Sequence, residues 1–245
     1  TSIMPDVLAL CFGMFYVLYF FKHLKSNKRS DLFYAALFIA LAGLAKLPFI
    51  LLGILSFIRA VELMFKSQPN RWQEVFRYAS VKAIALLPVM AWYAMVIPEW
   101  KDNNITDGFI TNFVGWPLFK EFLKNQIYVN FPTEILNIPA LLLFFAGVFF
   151  ILKTRKVFLA RPMYFFIPLL ILFMYFFYIL NVIRAGHEYY LMPFYPILML
   201  PIIGTVYQAW QGKMVAKIIV GMLLLAMPFV CWNQEKDYWD VKYAY

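Results

Sequence analysis

Charge is what this sequence has least of. Only 14% of its 245 residues are Asp, Glu, Lys or Arg, against about 25% in an ordinary soluble domain. Acids are the scarcer sign, 13 against 22 Lys and Arg. With two histidines and two cysteines, there is no HExxH pair, no paired-cysteine zinc spacing and no disulfide framework. Cys11 and Cys231 both fall in apolar stretches. Glycine is also thin, ten residues, and none forms a P-loop or a dinucleotide fingerprint. These absences set aside the zincin peptidases, the P-loop nucleotide hydrolases, the Rossmann dehydrogenases and the disulfide-stapled secreted domains.

What is present is apolar surface. Hydrophobic residues make up 64% and aromatics 20%, where a soluble domain holds about 45–50% apolar residues. The excess comes in blocks of about 15–21 residues, and a helix needs about 20 to cross the hydrocarbon core. Backbone groups cannot stay unpaired in lipid, so such blocks must be helices. The fold class read from this pattern is all-α: a polytopic transmembrane bundle of about eight spanning helices, forming one domain over residues 1–245. The spans run over about 7–24, 32–46, 48–65, 78–97, 133–152, 163–183, 190–207 and 215–232. A net charge of +9 would suit nucleic acid if it were gathered in one patch. Here the cations alternate with apolar spans, so no nucleic-acid partner is expected. No basic stretch, short apolar run and small-residue cleavage site open the chain, so no signal peptide is read. Further residues are expected upstream of Thr1.

The cations set the sidedness. Fifteen of the 22 lie in or beside the links after the first, third, fifth and seventh spans, among them Lys25, Arg29, Arg59, Arg77, Lys82 and Arg155. The remaining seven lie toward the opposite side. By the positive-inside rule the richer side is cytoplasmic, and residues 1–6 lie outside. Sidedness also resolves residues 32–65. As one helix they would measure about 51 Å, too long for one crossing, and both flanks are basic. They read as a hairpin broken at Pro48, which cannot donate to helical hydrogen bonding and disfavours helical geometry at Leu47. The one substantial loop, residues 98–132, is expected outside. Within it Leu118, Phe119, Phe122 and Leu123 share a helical face, the pattern of a short amphipathic helix lying on a membrane.

The outer side collects a small polar set: Asp6 before the first span, Lys46 at the hairpin tip, and Arg184, His187, Glu188, Tyr189 and Tyr190 between the sixth and seventh spans. Charges beside hydrocarbon are expensive and so are functional candidates. Each has a plainer reading. Asp6 suits an N-cap, Lys46 suits a lysine reaching to the headgroups, 184–188 suits a solvated turn, and Tyr189 and Tyr190 suit an aromatic belt. Read as one site, Lys46 and Arg184 offer a point charge and a bidentate fork for a phosphate. His187, Glu188 and Asp6 offer groups that position a divalent metal or polarise a hydroxyl.

Three segments resemble a known family. Met4-Pro5-Asp6 leading into an apolar helix, the hairpin tip Gly43-Leu44-Ala45-Lys46-Leu47-Pro48, and Tyr189-Tyr190-Leu191-Met192-Pro193-Phe194-Tyr195-Pro196 before a later helix occur in the order found in GT-C type polyprenyl-phosphate-dependent glycosyltransferases. That family includes the dolichyl-phosphate-mannose protein mannosyltransferases and the bacterial aminoarabinose transferase of lipid A. The resemblance covers about residues 1–210. It implies an inverting transferase of the cell envelope, in a bacterial inner or plasma membrane with its active face extracytoplasmic. The implied partners are a polyprenyl-phosphate-linked sugar and a lipid, protein or glycan acceptor. It implies Lys46 at the donor phosphate, Tyr190 lining the donor site, and Asp6 as the second acid of the cavity. The family's main catalytic carboxylate would precede residue 1. Two other classes remain open: a lipid or solute transporter, whose sites lie near the midplane between broken helices, and a non-catalytic membrane subunit.

Overall fold

The computed structural model describes residues 5–65, 69–99, 115–125, 128, 136–154, 162–183 and 192–242. Every regular element among them is helical. In chain order these are α1 (Pro5–Ser26), α2 (Arg29–Ala45), a 3₁₀ segment (Leu47–Gly53), α3 (Ile54–Met64), α4 (Arg71–Val96), a 3₁₀ turn (Ile97–Glu99), α5 (Trp116–Asn125), α6 (Ile138–Thr154), α7 (Met163–Ile183), α8 (Tyr195–Gln211) and α9 (Met214–Lys242).

Five helical stretches are long and apolar enough to cross a membrane: Pro5–Ser26, Leu47–Met64, Arg71–Glu99, Met192–Gln211 and Met214–Asn233. The other expected spans fall on shorter apolar pieces, α2 with 17 residues, Ile138–Lys153 and Met163–Tyr175. α4 begins seven residues before the apolar stretch that marked it, because Arg71, Gln73, Glu74 and Arg77 are good helix formers outside the hydrocarbon. α9 likewise runs on through the polar residues after Trp232. Lipid is the solvent these helices need. On α4, Ile84, Leu87 and Met90 are exposed, and on α9, Met222, Leu225 and Phe229 are exposed, a continuous apolar surface of the kind water does not tolerate.

The expected hairpin forms, with a difference at its tip. α2 closes on the Lys46 N–H, which donates to the Ala42 carbonyl at 2.8 Å. Lys46 itself is extended (φ −156°, ψ 116°), and the chain returns through 3₁₀ geometry before α3. A single α-helix from Pro48 was expected. The 3₁₀ winding has three residues per turn, so Phe49, Leu52 and Leu55 line up on one side, and all three are buried. Phe49 and Leu52 press on Gly13 of α1, where an added Cβ would stand 3.0 Å from each. The return leg ends beside the start of the outgoing one: Leu32, Leu63 and Tyr78 pack into one cluster.

α1 packs on α2, α2 and α3 pack on α4, and α6, α8 and α9 pack on one another. α1 also meets α8, and α3 meets α7, which joins the two halves. Tyr16, Phe20, Phe49, Leu55, Tyr164 and Ile197 belong to the shared core. α6 and α8 approach each other closely at Gly147. The Thr205 hydroxyl donates to the Leu143 carbonyl at 2.8 Å, and one turn along Gly147 lies against the backbone of Pro201. Small residues and an interhelical hydrogen bond are the usual means of holding helices in lipid, where apolar side chains gain little from leaving it. At the start of α6, Asn137 accepts from the Ala140 N–H at 3.1 Å, the N-cap bond. Its amide also donates to the Met227 carbonyl of α9 at 3.0 Å. The amphipathic segment of the 98–132 loop is α5, with Phe119 buried and Lys120, Glu121 and Lys124 exposed.

Candidate functional site

Of the seven candidate residues, Asp6 and Lys46 are described, and the structure brings them together across 40 positions of sequence. The Lys46 ammonium is ion-paired with the Asp6 carboxylate, their side chains 15% and 13% exposed. Local structure explains the meeting. Asp6 sits in the first turn of α1, where a carboxylate is favoured by the helix dipole. Lys46 sits at the break between α2 and the 3₁₀ segment, where Pro48 stops the helix. Because α1 and α2 are antiparallel neighbours, the start of one adjoins the end of the other. Asp6 thus does more than a cap would, and Lys46 is turned inward more than a headgroup anchor would be. Arg184, His187, Glu188, Tyr189 and Tyr190 lie outside the described residues.

Chemically, the pair is a cation and an anion that neutralise each other. A phosphate brought to this point would compete with Asp6 for Lys46. Among the described residues, no three His, Cys, Asp or Glu side chains group to hold a metal ion.

A second polar cluster, at the opposite end, was not foreseen as a site. Glu62 of α3 accepts from the Tyr164 hydroxyl at 2.6 Å and from Arg59 at 3.0 Å. His23 Nδ1 donates to the Lys28 carbonyl at 2.7 Å, and its ring packs on Tyr78. The Tyr16 hydroxyl bonds Ser56 at 2.9 Å, and the Lys82 ammonium lies over the Tyr16 ring, 4.4 Å from its centre. Arg59 and Lys82 had been read for sidedness alone. The available signal was a charge inside an apolar span, which is expensive unless it has a purpose.

No family model, curated protein or solved structure matches the chain.

Proposed function

We propose that the chain is a membrane glycosyltransferase that uses a polyprenyl-phosphate sugar on the extracytoplasmic face and passes the sugar to a lipid, protein or glycan acceptor. The observation that supports this reading best is the Asp6–Lys46 pair. Two residues that the family resemblance assigns to one cavity are ion-paired across 40 positions of sequence. In the transfer, the bond from the sugar's anomeric carbon to the donor phosphate oxygen breaks, and a bond from that carbon to the acceptor oxygen forms. The acceptor's proton passes to a base that the resemblance places upstream of Thr1. A polyprenyl phosphate monoester leaves. Lys46 meets the charge growing on the leaving oxygen, which lowers the barrier, with Arg184 as a second cation and Tyr190 orienting the donor. Asp6, released from Lys46, supports the acceptor hydroxyl or a divalent metal together with His187 and Glu188; Tyr189 lines the same entrance.

A transporter is the second reading, favoured by the ionisable cluster around Glu62 and Lys82, deeper in the bundle than a surface enzyme needs. The two separate on one assay: radiolabelled sugar supplied as polyprenyl phosphate to the full-length protein in nanodiscs. A transferase leaves the label covalently on an acceptor, and a transporter leaves it on the lipid.

Lys46→Ala should weaken donor binding by about tenfold or more, the loss of one charge-assisted contact of about 1.5–3 kcal/mol. Because the single change strands a buried Asp6, Asp6→Asn/Lys46→Ala is the companion variant with no unpaired charge. If both variants fold and bind the donor as well as the parent, Lys46 is removed from the site.

A further inference from the structure

Lys82 Nζ is buried and, among the described residues, has no hydrogen-bond partner; the same holds for Nε of Arg59 and Nε of Arg77. These three nitrogens belong to one region. Tyr78 precedes Lys82 by one turn of α4 and packs on His23, and both arginines are electrostatic neighbours of that His23. A buried ammonium without a counter-charge is costly, and the face of the Tyr16 ring offsets only part of that cost.

Among the described residues, three carboxylates lie at this end, and each is engaged. Asp31 holds Lys22 at 3.3 Å and accepts from Ser26 at 2.6 Å. Glu62 holds Arg59 and Tyr164. Glu74 is ion-paired with Arg77. An anion from outside the chain would answer Lys82. The anion a bilayer presents at the end of a bundle is a phosphate, which suits a lysine point charge.

We propose that the seam between α1, α3 and α4 at the basic end is a phosphate-binding site, with Lys82 as its innermost cation, distinct from the Asp6–Lys46 site at the other end. The shared chemistry is a phosphate-bearing anion, either the headgroup of an anionic phospholipid or free phosphate entering from the basic side.

The test uses the full chain in a neutral detergent and reads the midpoint of unfolding, with no sugar donor present, so its outcome is independent of the transferase reading. The probes are phosphatidic acid, diacylglycerol and inorganic phosphate. Phosphatidic acid should stabilise the parent and diacylglycerol should not. Stabilisation by inorganic phosphate as well would identify free phosphate as the ligand; none would identify the lipid headgroup. Lys82→Met removes a buried charge and should fold at least as well as the parent, but should need about tenfold more of the stabilising phosphate probe for the same shift. Lys82→Arg, which keeps the charge, should recover most of the response. No response in the parent, or an equal response in the parent and Lys82→Met, overturns the proposal.

Discussion

Glu62→Ala is expected to destabilise the protein by about 3–5 kcal/mol, the usual result of removing one partner from a buried ion pair. Glu62 is buried and answers two groups at once, Arg59 of its own helix and the Tyr164 hydroxyl from α7. Without the carboxylate, a guanidinium and a phenol are left facing apolar surroundings. The loss also falls at the α3–α7 contact that joins the two halves of the bundle. Glu62→Gln should be intermediate, because its amide oxygen still accepts from Tyr164 while Arg59 keeps an unanswered charge. Arg59→Met/Glu62→Met should regain much of the stability, since a well-packed apolar pair of similar volume often equals a buried ion pair. Unfolding in mixed micelles, followed by helical signal, measures all four proteins. Parent-like stability of Glu62→Ala would mean that the pair is exposed to water in the folded protein.

Gly147→Leu is expected to cost at least about 3 kcal/mol, at the upper end of overpacking effects. The reason is what stands opposite. An added Cβ would lie 2.8 Å from the Cα of Pro201 and closer still to its carbonyl. Both obstacles are backbone, so no side chain can rotate away. Even Gly147→Ala should destabilise, although helix propensity alone favours alanine by about 1 kcal/mol. Separating α6 from α8 also breaks the Thr205–Leu143 bond, worth about 0.6 kcal/mol between membrane helices. The control is Gly221→Ala on α9, where an added Cβ meets nothing within 4 Å; it should leave stability unchanged or raise it slightly. Gly147→Ala as stable as the parent would show that α6 and α8 do not meet at Pro201.

Apolar blocks and breakers made much of the fold legible. Pro48 between two apolar runs with basic flanks forced a hairpin, and α7 occupies the same residues that its apolar run marked. Hydrophobicity marks what lies in lipid, however, and not where a helix stops. That is why α4 and α9 continue into polar sequence. The 3₁₀ leg was hidden because an apolar run does not report its winding; the three-residue spacing of Phe49, Leu52 and Leu55 carried the signal. At the candidate site, Asp6 and Lys46 could be named from their cost near hydrocarbon. Their pairing depends on how α1 and α2 sit side by side, which no local pattern encodes. The Glu62–Tyr164 bond joins residues 102 positions apart, and a tyrosine among so many aromatics does not announce a partner.

Both proposed sites depend on sidedness, since the sugar donor must meet Asp6 and Lys46 on the outside while Lys82 is reached from the cytoplasm. Single-cysteine labelling in intact cells tests this most directly. Cys11 and Cys231 are exposed on the apolar surface, so both are first replaced by serine. Asn70→Cys, just before α4 at the basic end, should react with a membrane-impermeant maleimide only after the cells are opened. Lys120→Cys, on the exposed side of α5, should react in intact cells. Labelling of Asn70→Cys in intact cells, with Lys120→Cys protected, would invert the protein and contradict the account.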